Sequence, residues 1–145
     1  MIGYLFSKSE LNEGVLNKST PSINALLLRT GENVEEILYG QASLGAMFER
    51  AGYRAVPSPR YETRVPLVNC YKLLFRQPAP GSDKYYRGGW ITQVHGSRDG
   101  GNIDAIQLEF PTEIREEAGP ERRREFAERL AHNIITFSEL YYDLN

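Results

Sequence analysis

The chain has 145 residues, 41% hydrophobic and 25% charged, which suits one globular domain and excludes a disordered segment. A net charge of −2 and a pI of about 5.8 argue against electrostatic capture of nucleic acid. No apolar run approaches the roughly 20 residues that span a bilayer, and MIGYLFSKSELNE has neither a basic leader nor a small-residue cleavage site, so no membrane partner and a cytoplasmic location are expected.

Glycine and proline punctuate the first third of the chain. SKSELNE reads as a short helix with Ser7 or Ser9 as its cap. TPSINALLLR, residues 20–29, puts Pro21 in a first helical position, with Gly31 as the stop. NVEEILYG offers Asn33 as a cap, acidic residues in the first turn and Gly40 as the end. QASLGAMFERAG sets Leu44, Met47, Phe48 and Ala51 at helical spacing before Gly52. Tyr53 to Pro57 then reads as a short strand.

Residues 57–83 differ. PSPR and PAPGSD are loop-like, and VPLVNCYKLLFR between them reads as an edge strand, a hairpin or an insertion. Cys70 is the only cysteine, so no internal disulfide forms, which suits a reducing compartment. VNCYK brings no histidine near it, so the plain reading is a structural thiol.

Gly89 to Val94 reads as a strand, SRDGG as a turn, and Ile103 to Phe110 as a second strand hairpin-paired with the first, ended by Pro111. The last element is a helix opened by Gly119-Pro120, with Phe126, Leu130, Ile134, Phe137 and Tyr141 on one stripe, widened by Ala127, Ala131 and Ile135. His132 falls off that stripe, and Arg122 to Arg124, flanked by Glu121 and Glu125, read as a solvated face.

Side chains alternate along a strand, so Gln107 and Glu109 share one side, opposite Ile106, Leu108 and Phe110. A hairpin would bring Gln93 and His95 to the same surface. A carboxylate beside a histidine at a strand end serves as a general base for water, and Arg87, Arg98 and Arg115 are available to hold a substrate carboxylate. The plainer account is an antiparallel sheet with one wet face, and spacing alone favours it. His95 and His132 are the only imidazoles, so a site of several histidines is excluded and zinc would need carboxylates or Cys70.

The segments GYLFSKSEL, SINALL, ASLGAMFERAGYRAVPSP and YYRGGWITQVHGSRDGGNIDAIQLEFPTEIR together resemble the N-formylglutamate amidohydrolase family. The last is the most specific, through its HGS turn and IDAIQLE. The resemblance covers nearly the whole chain, read as one domain, 1–145, with residues 61–78 as an insertion or loop. It implies an α/β fold, a mixed β-sheet flanked by helices, similar to the C-terminal part of a zinc-exopeptidase-like (phosphorylase/hydrolase-like) fold. It further implies hydrolysis of an amide or formamide C–N bond by zinc-activated water. By motif position Glu109 would be the catalytic base, with His95, Gly96 and Ser97 beside the substrate and Arg115 as a contact for its carboxylate. The family's metal-ligand motifs lie upstream of GYLFS, so zinc is implied while its ligands are expected to be missing here.

The expected function is therefore that of an N-formylglutamate amidohydrolase-like hydrolase acting on a small N-acyl amino acid, with little or no activity in the isolated chain. The alternative is a non-catalytic binding protein of the same fold, whose uncovered surfaces favour self-association. A nucleophile at Cys70 or Ser97 ranks last, because neither has a GxSxG elbow or an adjacent base.

Overall fold

The computed structural model describes residues 1–17, 19–59, 80 and 84–142. Cys70 and the expected insertion at 61–78 lie outside the described residues. In chain order the elements are β1 (Ile2–Gly3), α1 (Lys8–Glu13), α2 (Asn24–Thr30), α3 (Val34–Tyr39), α4 (Leu44–Arg50), α5 (Trp90–His95), β2 (Gln107–Leu108) and α6 (Pro120–Tyr142). A 3₁₀ turn, Ser97–Asp99, follows α5, and a π-helical turn, Glu113–Glu117, precedes α6. The fold is mixed α/β in the broad sense: helix-rich, with one antiparallel pair among the described residues that sets Ile2 opposite Leu108 and Gly3 opposite Gln107. Among the described residues no helix is long and apolar enough to cross a membrane.

The caps are where local chemistry places them. Ser7 and Glu10 form a reciprocal capping box: Glu10 N–H donates to Ser7 Oγ at 3.2 Å and Ser7 N–H to Glu10 Oε2 at 2.7 Å. Asn33 Oδ1 accepts from Glu35 N–H at 2.9 Å, and Ser43 Oγ from Ala46 N–H at 3.1 Å. α2 starts at Asn24 rather than Pro21 because Ser22 is engaged elsewhere. Its N–H donates to Tyr4 O, its Oγ donates to Ala105 O at 2.6 Å, and its carbonyl accepts from both Ser97 and Ala105 N–H. A residue with its backbone spent on three distant segments cannot also begin a helix.

Three expected strands are corrected. Residues 90–95 form helix α5, not a strand. Gly88 adopts φ +115°, which turns the chain, and Thr92 Oγ1 donates to Gly89 O at 2.8 Å, tightening the first turn. Thr92 is buried while Trp90, Ile91 and Val94 are exposed, a helical rather than a two-residue period. The strand expected over 103–110 is only Gln107–Leu108, and its partner is β1, so the hairpin does not form. Residues 53–57 form no strand; among the described residues Ile2 N–H donates to Val56 O at 2.7 Å.

The core gathers Ile2, Tyr4 and Phe6 from the N-terminal segment, Leu26 of α2, Ile37 and Leu38 of α3, Met47 and Phe48 of α4, and Phe137 and Tyr141 of α6. Fully burying each large apolar side chain contributes about 1.5–3 kcal/mol before entropy is counted. On α6 the observed stripe is Phe126, Leu130, Asn133, Phe137 and Tyr141. Asn133 takes the place expected for Ile134, which is exposed together with Ala127, Ala131 and Ile135.

Candidate functional site

The segment Arg87–Gly89 crosses beside β1. Leu5 N–H donates to Arg87 O at 2.7 Å. A Cβ at Gly3 would lie 2.7 Å from the Arg87 carbonyl carbon, so only glycine lets the two backbones approach this closely. That approach carries Gly89 to the end of β2, where its N–H donates to Gln107 Oε1 at 2.7 Å. A backbone N–H can only donate, so this contact fixes which end of the Gln107 amide is oxygen. Gln107 Nε2 then donates to Glu109 Oε1, also at 2.7 Å. The side-by-side placement expected of Gln107 and Glu109 is thus realised as a directed relay, Gly89 to Gln107 to Glu109.

Glu109 opens onto a groove of about 570 Å³ lined by Met1, Lys8, Lys84, Tyr85, Tyr86 and Glu109. Lys8, Tyr85 and Tyr86 also line an adjoining groove of about 630 Å³ that runs past Gly89 to Trp90 and Gln93. Lys8, Lys84 and Arg87 line this surface together with Met1, whose ammonium donates to Glu109 O at 2.8 Å. Tyr85 donates from its hydroxyl to Ile2 O at 3.2 Å. Burial, with smaller contributions from Tyr39 and Glu10, pushes its phenol well above the usual range, so it stays a neutral donor. Among the described residues Gln107 holds Glu109 by its Oε1, and Glu109 lies in the wall of this groove.

The other residues implied by the resemblance sit elsewhere. His95 is exposed at the end of α5, its ring edge-on to Trp90 at 5.7 Å, and it does not line the groove beside Glu109. Gly96 fills a tight junction, where a Cβ would come within 2.6 Å of the Ser22 side chain. Ser97 is fully buried: its Oγ accepts from Ala25 N–H at 2.7 Å and donates to Asp104 Oδ1 at 2.5 Å. Asp104 Oδ2 accepts in turn from Tyr142 OH at 3.1 Å, so Ser97 pins a loop and two helices together. Arg115 lies exposed on the π-helical turn, donating to Phe110 O at 3.0 Å and paired with Glu116 at 3.5 Å. Arg98 pairs with Asp99 at 3.3 Å. Of the residues set on one surface by the expected hairpin, Gln107 and Glu109 meet and Gln93 lines the far part of the groove.

Lys8, Lys84 and Tyr86 were not singled out by the sequence. The only signal for them was the closeness of KYYRGG to the glycine pair, and Lys8 arrives from a helix some 80 residues earlier in the chain.

Zinc, which the resemblance implies, does not fit the donors seen. Among the described residues no three His, Cys, Asp or Glu side chains converge. Glu109 has a glutamine amide as its neighbour and two lysines in its groove, a setting suited to an anion rather than a dication. No family model matches the chain, and neither a curated protein nor a solved structure is found similar to it.

Proposed function

We propose that the chain carries the proton-transfer part of an N-formylglutamate amidohydrolase-like hydrolase, acting on the C–N bond of a small N-acyl amino acid. The observation that supports this most is the relay from Gly89 through Gln107 to Glu109 Oε1, which holds the carboxylate at the wall of a groove shared with Lys8 and Lys84. In this reading Glu109 Oε2 takes the proton of a water that attacks the acyl carbon, and later returns it to the departing amine nitrogen. Lys8 and Lys84 attract the substrate's carboxylates; a dicarboxylate such as N-formylglutamate presents two anionic groups to the two lysines. The described residues do not supply ligands for the zinc that the resemblance implies, so turnover by this chain alone is expected to be slight.

Binding is therefore the decisive test. Calorimetric titration with N-formylglutamate should show one saturable site, lost in the Lys8→Ala/Lys84→Ala double variant. Absence of binding by the unaltered chain would overturn the proposal.

A second reading, a non-catalytic binding protein of the same kind, is favoured by α5. That helix exposes Trp90 at 69%, Ile91 at 65% and Val94 at 53%, an apolar face of the kind that partners cover. Light scattering across a concentration series separates the two: self-association that disappears in Trp90→Ser/Ile91→Ser supports the binding role, and a monomer at every concentration speaks against it.

A further inference from the structure

We infer that the acyl group favoured by this site is a planar aromatic one, which makes N-aroyl amino acids such as N-benzoylglutamate its preferred substrates. The inference rests on the reading of the Glu109 groove as a site for an N-acyl amino acid. That groove and its neighbour share Lys8, Tyr85 and Tyr86. A ligand with its carboxylates at Lys8 and Lys84 can therefore extend its acyl group past Tyr86 towards Trp90. A formyl group, one carbon long, ends at that junction and makes no use of the second groove.

Planar groups line the second groove. Tyr86 is 46% exposed and Trp90 69% exposed. The Tyr86 ring lies beside Gly89: an added Cβ there would come 3.0 Å from its hydroxyl and 3.3 Å from Gln107 Oε1. The ring thus stands next to the relay that holds Glu109. The Trp90 indole is braced by the His95 ring, at 89° and 5.7 Å. Arg87 adds a flat guanidinium, and Gly88 and Gly89 carry no side chain to obstruct a flat ligand. Aromatic rings and a guanidinium recognise a ring by its face and its edge. A saturated acyl chain offers neither. The groove is open to solvent, so burial of apolar area alone does not favour a chain over a ring. One such ring contact is worth about two- to tenfold in affinity.

Trp90 is the only tryptophan in the chain, so its fluorescence reports on the second groove. The test titrates the full chain with N-benzoylglutamate, N-formylglutamate and N-cyclohexanecarbonylglutamate, whose ring is saturated, by calorimetry and by fluorescence. N-benzoylglutamate should bind about three- to tenfold more tightly than either of the others and change the Trp90 emission saturably. Calorimetry on Tyr86→Ala/Trp90→Ala should show that preference lost. If N-formylglutamate binds and N-benzoylglutamate binds no more tightly, or leaves Trp90 emission unchanged, the inference is overturned and the hydrolase reading stands. Equal affinity for the benzoyl and saturated-ring compounds also overturns it. Binding of none of the three overturns both. These comparisons on the unaltered chain are decisive by themselves if the double variant does not fold.

Discussion

Gln107 Nε2 donates to Glu109 Oε1 at 2.7 Å, and the direction of that bond is dictated by a third group, because Gln107 Oε1 is already taken by the Gly89 N–H. Among the described residues this bond holds the carboxylate by its Oε1. Its orientation thus depends on an amide that itself depends on where a glycine backbone has been placed. Replacing Gln107 with leucine leaves the part-buried Gly89 N–H without its acceptor and Glu109 without its donor. We expect a loss of about 1–3 kcal/mol in urea denaturation, together with weaker N-formylglutamate binding. Glu109→Gln keeps an acceptor for Gln107 and should cost little stability, which separates the two roles.

Gly88 places that glycine backbone. Its φ of +115° is one that L-residues rarely adopt, and an added Cβ would lie 2.5 Å from Thr92 Oγ1. Gly88→Ala should destabilise the fold by roughly 1–3 kcal/mol and move Gly89 N–H off Gln107. In amide exchange, protection at Gly89 should fall while the core of α4 remains protected.

Ser97 serves the fold rather than the groove. Its hydroxyl joins Ala25 N–H, at the start of α2, to Asp104, which also holds Tyr142. Ser97→Ala strands a buried donor and removes a hydrogen bond to a carboxylate, so chemical denaturation should show a loss of about 2–3 kcal/mol. Binding in the groove should be unchanged when measured at a temperature where the variant is folded.

Burial raises the phenols of Tyr4, Tyr39, Tyr85 and Tyr142 above their ordinary value of 10.0. Above about pH 10 the unfolded chain releases phenolic protons that the folded chain retains, so the unfolded state binds fewer protons and stability falls as pH rises. Below that pH these groups leave stability unchanged. A fully buried phenol such as Tyr4 contributes a slope of up to about 1.4 kcal/mol per pH unit. Among the described residues the Tyr4 hydroxyl has no hydrogen-bond partner. Tyr4→Phe should therefore be neutral or stabilising at pH 7 and should make the alkaline fall shallower by about that slope. Denaturation curves between pH 7 and pH 11 check both points.

The helices of the first fifty residues and α6 were legible because their ends are written in short-range chemistry. Ser7 with Glu10, Asn33 and Gly31 act through their immediate neighbours, and any sequence reading can see them. The strands were not legible, since pairing is a long-range matter. β2 is only two residues long, and its partner lies more than 100 residues earlier. Thr92 and Val94 carry a strand preference that the turn at Gly88 overrides. The stripe of α6 slipped by one position at Asn133, where a buried amide nitrogen without a partner among the described residues replaces the expected isoleucine.

In the site, alternation was enough to pair Gln107 with Glu109. It could not foresee that the third member would be a backbone N–H, or that lysines from separate segments would line the groove.

Glu109, held by Gln107, lies in the groove of Lys8 and Lys84, and the proposed function requires that groove to bind an anion. The most direct measurement follows the side-chain amide resonances of Gln107 while N-formylglutamate is added, in the unaltered chain and in Lys8→Ala/Lys84→Ala. A saturable shift in the first, absent in the second, is the predicted result. A Gln107 amide that stays fixed throughout the titration, or one that shifts equally in both proteins, would contradict it.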